Sequence, residues 1–96
     1  MRFRKLGSKG PEVSAVGVGA WAMGGPGRFG WGPQDDDESI AALHRAFDAG
    51  INWVDTAAVY GFGHSEEVVG QVLRELGGEV LVATKCGRSW YGRDDG

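Results

Sequence analysis

The sequence predicts an α/β fold of parallel strands, the N-terminal part of a (β/α)8 barrel, and three observations carry that reading. After an opening hairpin pattern, short apolar runs alternate with segments of helical periodicity in the order β-α-β-α-β. Such alternation requires parallel strands joined by right-handed crossovers. The last apolar run, Val80-Leu81-Val82-Ala83-Thr84, is continuous rather than alternating, as in a strand buried on both faces. The spacing is also regular. Gly19 and Asp55 lie 36 residues apart, and Asp55 and Lys85 lie 30 apart, near the roughly 30 residues per unit of an eight-unit barrel of about 250 residues.

Residues 1–15 read as a hairpin, with strands Arg2–Leu6 and Glu12–Ser14 around the turn Gly7-Ser8-Lys9-Gly10-Pro11. Val16-Gly17-Val18-Gly19 is the first barrel strand. Residues 20–34 form a long loop holding Gly24, Gly25, Gly27, Gly30 and Gly32 with Pro26 and Pro33. A loop of that length is usually functional or disordered, and Trp21, Phe29 and Trp31 make it more aromatic than a flexible linker. Asp35 then caps a helix, with Glu38 three residues on as in a capping box, and the acids Asp35 to Glu38 favour the positive end of the helix dipole. Ile40, Leu43 and Phe47 make its apolar stripe, and Gly50 stops it. Ile51–Asp55 is the second barrel strand. After a loop through Tyr60-Gly61-Phe62-Gly63, Ser65 is the expected N-cap of a second helix that buries Val68, Val69, Val72, Leu73 and Leu76 and ends at Gly77-Gly78. Residues 1–96 therefore read as one incomplete barrel domain: the hairpin, then three strands and two helices in residues 16–96.

Composition narrows the function classes. With ten Lys and Arg scattered among thirteen acids and a net charge of −3, the chain offers no basic face for nucleic acid. No apolar run approaches the ~18 residues that span a membrane, and the basic N-terminus is not followed by the apolar stretch of a secretory signal. The single cysteine, Cys86, makes no internal disulfide. A cytoplasmic location is expected. No His, Cys and Asp cluster has metal-ligand spacing.

The chemistry gathers at strand ends. Asp55 and Lys85 each close an apolar run, and in a parallel sheet both ends lie on one face. Neighbouring strands are about 4.8 Å apart, so the acid and the base can pair. Tyr60, five residues past Asp55, leaves the same end and can fold back over them. Barrel enzymes keep their active sites on this C-terminal face. A phenol titrates near ~10 unperturbed, and a neighbouring ammonium favours its ionised form. A Tyr so placed can exchange a proton with a carbonyl oxygen; hydride must come from a nicotinamide.

The segment Val54-Asp55-Thr56-Ala57-Ala58-Val59-Tyr60-Gly61 resembles the Asp-Thr-Ala-x-x-Tyr-Gly stretch of the aldo-keto reductases. Ala83-Thr84-Lys85 resembles their third-strand lysine, Gly17-Val18-Gly19-Ala20-Trp21 their first strand, and His64-Ser65-Glu66-Glu67 with Gly70 the start of their second helix. Arg4-Lys5-Leu6-Gly7 fits the hairpin at their barrel floor. The likeness covers nearly the whole chain and is similar to the bacterial-type, channel β-subunit-like branch. It implies a (β/α)8, or TIM, barrel that binds NADPH and reversibly reduces an aldehyde or ketone. By resemblance, Tyr60 is the general acid, Lys85 its tuning cation and Asp55 the partner of Lys85, also contacting the nicotinamide ribose. Gly19, Ala20 and Trp21 correspond to the stretch beneath nicotinamide and substrate. Trp21 and Trp90 are expected in the substrate pocket. The family's fourth catalytic member, a His after a fourth strand, has no counterpart here, since His44 and His64 lie too early; the segment that grips the cofactor's pyrophosphate and 2′-phosphate has none either.

Other readings stand beside these. Asp55 and Lys85 can be a structural ion pair, and Tyr60 a turn aromatic packed on Phe62. Phe29, Trp31 and Trp90 serve equally well as pocket residues or loop anchors. His44 reads as a solvated helix residue, His64 as part of a helix start, and Cys86 as a buried or semi-buried thiol. Gly17–Ala22 fits the dinucleotide fingerprint G-x-G-x-x-A, but a Gly/Pro loop follows where that motif needs a helix. At the level of function, the alternatives to a reductase are a regulatory cofactor-binding subunit like the channel β-subunits, and an inactive fragment. The open sheet is expected to need further C-terminal barrel units, or self-association, to cover it.

Overall fold

Strands β1 (Phe3–Lys5) and β2 (Glu12–Ser14) open the chain as an antiparallel hairpin with Phe3 opposite Ser14 and Lys5 opposite Glu12. β3 (Val18–Gly19), α1 (Asp36–Asp48), β4 (Trp53–Asp55), α2 (His64–Leu76) and β5 (Leu81–Ala83) follow in the expected order. The structure is a computed structural model and describes residues 1–26 and 30–87. The last three strands form a parallel sheet in the order β3-β4-β5, with Gly19 beside Asp55 and Asp55 beside Ala83. Each paired strand is shorter than the apolar run that announced it, because the hydrogen-bond ladder extends only where neighbouring backbones run side by side. This is the β-α-β-α-β arrangement of the opening of a TIM barrel.

Both helices bury the stripes read from their periodicity. Leu43 from α1 and Val68, Val69 and Val72 from α2 close over Val54 and Ala20, while Ile40, Phe47, Leu73 and Leu76 pack around them half-buried. Asp35 caps α1 by accepting the amide of Asp37 at 2.9 Å, one residue short of the Glu38 amide that a capping box uses. The other end of α1 closes as a Schellman turn: Ile51 N–H donates to Ala46 O and Gly50 N–H to Phe47 O, with Gly50 at φ 104°. The expected Ser65 cap of α2 is corrected. The helix starts two residues earlier than a Ser65 cap implies, at His64, with Gly63 at φ 102° as N-cap and no side-chain cap bond. Ser65 lies inside the first turn, fully buried, and its hydroxyl bonds across the fold instead.

The hairpin sits at the N-terminal ends of the parallel strands, stapled by two residues that precede or open β4. Asn52 accepts the Ser14 amide at 2.8 Å and donates from Nδ2 to Glu12 O at 2.9 Å. Trp53 donates from its indole N–H to Ser14 O at 2.9 Å. Its ring lies on Gly17 so closely that any side chain at that position would overlap it. The hairpin is thereby fixed as a floor, and the opposite, C-terminal rim stays open.

Two histidines tie the helices together. His44 on α1 meets Glu75 on α2 at 2.9 Å, so it is a paired residue rather than merely solvated. His64, the first residue of α2, meets both carboxylate oxygens of Asp36, the first residue of α1, at 2.8 and 2.9 Å, and Glu67 at 3.7 Å. The bond to Asp36 raises the His64 pKa above its ordinary 6.5, against the opposing effect of partial burial. A raised folded-state value means that this link stabilises fully below about pH 6.5 and is lost as pH rises through the higher folded value. In a complete barrel built on this segment, the melting temperature is expected to fall across that window, and His64→Gln should flatten the fall; equal slopes would contradict it.

The face of the sheet away from the helices is uncovered. Leu6, Pro11, Val13, Trp53, Leu81 and Ala83 line an apolar groove there, and Leu81 and Val82 on the outer strand are 36% and 43% exposed. Open apolar strands pair with other chains. The isolated 96-residue chain is expected to self-associate, seen as a sedimentation coefficient that grows with concentration. A concentration-independent monomer with a cooperative melt would contradict this.

Candidate active site

At the C-terminal rim, register and alternation bring three polar groups together. Asp55 is the last residue of β4 and sits beside Ala83 of β5. Lys85, two residues beyond Ala83, leaves on the same side of the sheet. Its ammonium donates to Asp55 Oδ1 at 2.7 Å and to the backbone carbonyl of Thr56 at 2.8 Å. A longer contact of 3.4 Å reaches the Tyr60 hydroxyl, with the cation 5.1 Å from the phenol ring centroid. The bond to Asp55 foremost, and that to Tyr60 after desolvation, raise the lysine's pKa above its ordinary value, so Lys85 is an ammonium at neutral pH. The corner is open: the Lys85 and Asp55 side chains are 52% and 43% exposed. Exposed ion pairs typically contribute about 0.2–1 kcal/mol to stability, so this one is poorly accounted for as a fold-stabilising device.

Buried neutral contacts hold the rim. Ala20 donates its N–H to Asp55 O, and its own carbonyl accepts from Ser65 Oγ, which lies 2.7 Å from Thr56 Oγ1. Ala20, Thr56 and Ser65 are all at most 1% exposed, so this relay locks the ends of β3 and β4 to the first turn of α2. Neither Thr56 nor the tertiary use of Ser65 was legible beforehand; each is a small hydroxyl residue whose partner is distant in sequence.

Tyr60 is placed by backbone packing. Two single-turn helices, Ala22–Gly24 and Tyr60–Gly63, meet at Gly24 and Gly61, where a Cβ on either residue would overlap the other's backbone. Gly61 has φ 63° and Phe62 φ 54°; the latter is a left-handed conformation that costs a non-glycine residue about 1 kcal/mol or more. The chain thus reverses directly after Tyr60 and leaves the phenol over the Lys85 corner.

The remaining candidates divide. Gly19 is exposed, with open space around it, whereas Ala20 is fully buried and presents no surface of its own. Trp21 lies beside Tyr60, ring centroids 6.5 Å apart, and meets Trp31 edge to face at 5.6 Å. Trp90 and Phe29 lie outside the described residues. Cys86 is exposed rather than semi-buried, because it follows the outermost strand beyond its paired part. Among the described residues, no His, Cys, Asp and Glu cluster could hold a metal ion, and no helix is long and apolar enough to cross a membrane.

Comparison with known proteins agrees with the fold and extends it. Residues 15–95 match the model of the aldo/keto reductase family. The chain is 41% identical over 92 residues to aldo-keto reductase YhdN of Bacillus subtilis, covering 94% of this chain and 27% of that protein. Among solved structures it is similar to the glycerol dehydrogenase AKR11B4 of Gluconobacter oxydans, at 48% identity and TM-score 0.76 over 96% of this chain and 27% of that one. It is also similar to an aldo-keto reductase from Klebsiella pneumoniae in complex with NADPH, at 33% identity and TM-score 0.68 over 90% of this chain and 28% of that one. The chain spans little more than a quarter of the length of these relatives. Its three parallel strands, two covering helices and floor hairpin are the N-terminal portion of the family's TIM barrel, and the chain belongs to the aldo/keto reductase family.

Proposed function

We propose that residues 1–96 form one incomplete barrel domain supplying the proton-transfer corner of an NADPH-dependent oxidoreductase that reversibly reduces an aldehyde or ketone to an alcohol. One observation carries this reading: a single ammonium, Lys85 Nζ, contacts both the Asp55 carboxylate at 2.7 Å and the Tyr60 hydroxyl at 3.4 Å on the barrel's open rim.

Each residue has a distinct task. The Tyr60 hydroxyl donates a proton to the carbonyl oxygen in the reducing direction and accepts one from the alcohol in reverse. Lys85 stabilises the phenolate left behind; the ammonium is close enough to the oxygen for that charge to be felt most when substrate and cofactor exclude water. Asp55 keeps Lys85 charged and aimed, so it is a positioning residue for the proton donor. The Thr56 carbonyl gives the ammonium a second anchor and restricts its swing.

The residues present also fit a nicotinamide. Gly19 has open space where a side chain would stand, beside the partly exposed carboxylate of Asp55, so a flat ring can approach the end of β3 and a ribose hydroxyl can reach Asp55. When bound, the reduced nicotinamide supplies hydride. Trp21 walls the same rim next to Tyr60 and is placed to contact substrate. The NADPH-bound Klebsiella relative supports the choice of cofactor.

In a full-length barrel carrying this segment, Tyr60→Phe should lower carbonyl reduction by roughly 10²–10⁴-fold, the range general acids supply. NADPH affinity, measured by fluorescence titration, should stay within about threefold. Near-native rates in Tyr60→Phe would end the proposal. Tight NADPH binding by the native protein with negligible turnover would favour the regulatory-subunit reading instead. Lys85→Met should match the loss seen in Tyr60→Phe, and Asp55→Asn should lose less; an undiminished Lys85→Met enzyme would remove Lys85 from the mechanism. The 96-residue chain alone should not oxidise NADPH, which absorbance with a generic aldehyde checks.

A further inference from the structure

We infer that Glu66 is a positioning residue for Lys85, acting through the hydroxyl of Thr84. The inference rests on the reading of Lys85 as the cation that assists Tyr60, and adds two residues to the three already given tasks.

Pairing of β5 with β4 ends at Ala83. Thr84 and Lys85 follow it, and alternation sends their side chains to opposite faces. Lys85 reaches the rim. Thr84 turns toward α2 and donates its hydroxyl to Glu66 Oε2 at 2.6 Å. That is the short distance of a hydrogen bond to a carboxylate, roughly twice as strong as a neutral one. An acid in the first turn of a helix ordinarily serves the dipole of its own helix, and Glu67 stays on that helix, 3.7 Å from His64. Glu66 instead reaches across 18 residues of sequence to the position directly before Lys85.

The anchor is itself fixed. Ser65, its neighbour in the same turn, is fully buried; the Ser65 hydroxyl donates to Ala20 O at 2.8 Å and lies 2.7 Å from Thr56 Oγ1. The Thr56 carbonyl in turn accepts from Lys85 Nζ at 2.8 Å. Consecutive residues of one helical turn therefore hold both ends of the lysine. Ser65 holds the residue whose carbonyl receives the ammonium, and Glu66 holds the backbone from which the side chain departs. A long side chain with base and head tied to the same turn has fewer ways to leave Asp55 at 2.7 Å and Tyr60 at 3.4 Å. Misplacing a reacting group by about 1 Å can cost on the order of a hundredfold in rate.

The test uses a full-length barrel carrying residues 1–96, with propanal reduction and 1-propanol oxidation as assays. Thr84→Val keeps the shape of the side chain and removes the donor; Glu66→Ala removes the acceptor. Each should lower kcat roughly tenfold, with KM for propanal and NADPH within about twofold of native, the pattern of an interaction felt in the transition state. The pH at which alcohol oxidation reaches half its maximum should rise in both, because a looser ammonium favours the phenolate less. Thr84→Ser should restore kcat and that midpoint. The double variant should be no slower than the slower single one, since both changes cut the same bond. Without turnover, the Lys85 ammonium protons, identified in NMR spectra by their absence in Lys85→Met, should exchange with solvent faster in Thr84→Val than in the native protein. Native kcat and midpoint in Thr84→Val, or a lower melting temperature with neither of them changed, overturns the inference. Losses that multiply in the double variant, or ammonium exchange as slow as native in Thr84→Val, overturn it equally. Lys85→Met separates the two levels. If it keeps native rates, the reading of Lys85 fails. If it loses reduction while Thr84→Val and Glu66→Ala keep it, only the role given to Glu66 and Thr84 fails.

Discussion

Everything at the rim depends on the register of three parallel strands. Gly19, Asp55 and Ala83 stand side by side, and alternation sends Asp55 and Lys85 to the same face. A slip of one residue in β4 would turn Asp55 toward the helices and Val54 away from them. That would put an unpaired carboxylate where Leu43, Val54 and Val72 are now completely buried, and burying an unpaired charge is among the most costly changes a core can suffer. The register is enforced from below as well, since Asn52 and Trp53 are bonded to the hairpin floor just before the paired residues begin. The position of the acid is thus a by-product of where the valine must go.

The rim separates groups that do chemistry from groups that hold it in place. Asp55, Tyr60 and Lys85 are charged or ionisable and reach solvent. The Ala20, Thr56 and Ser65 relay beneath them is neutral, buried and fully bonded, and among the described residues no buried side-chain polar atom lacks a partner. Neutral hydrogen bonds can be buried without the desolvation cost that ion pairs carry, so the scaffold is rigid where it must be and the reactive groups stay accessible. The same division runs through the helices: apolar stripes face the sheet, while His44–Glu75 and His64–Asp36 join the helices at their exposed margins.

Much of this was legible in the sequence because it follows from periodicity. The apolar runs ending at Asp55 and before Lys85, the stripe of Val68, Val69 and Val72, and the stop at Gly50 each follow from local spacing, and together they bring Asp55, Tyr60 and Lys85 to one rim. Features set by contacts between distant loops were not legible. Ser65 looked like a cap because a hydroxyl before two acids usually is one. Gly63 could adopt the left-handed conformation that starts the helix earlier, and Ser65 found Ala20 O instead. The meeting of Gly24 and Gly61 leaves no sequence pattern beyond glycines among many others. His44 could not be paired with Glu75 until the helices were laid side by side.

Because the backbone of Gly24 rests directly on that of Gly61, the connections leaving β3 and β4 are built as one unit above the sheet. A length change between Ala20 and Gly24 would drag the phenol off the ammonium. The two connections are therefore coupled at this contact, and the first cannot change its length there without moving the second.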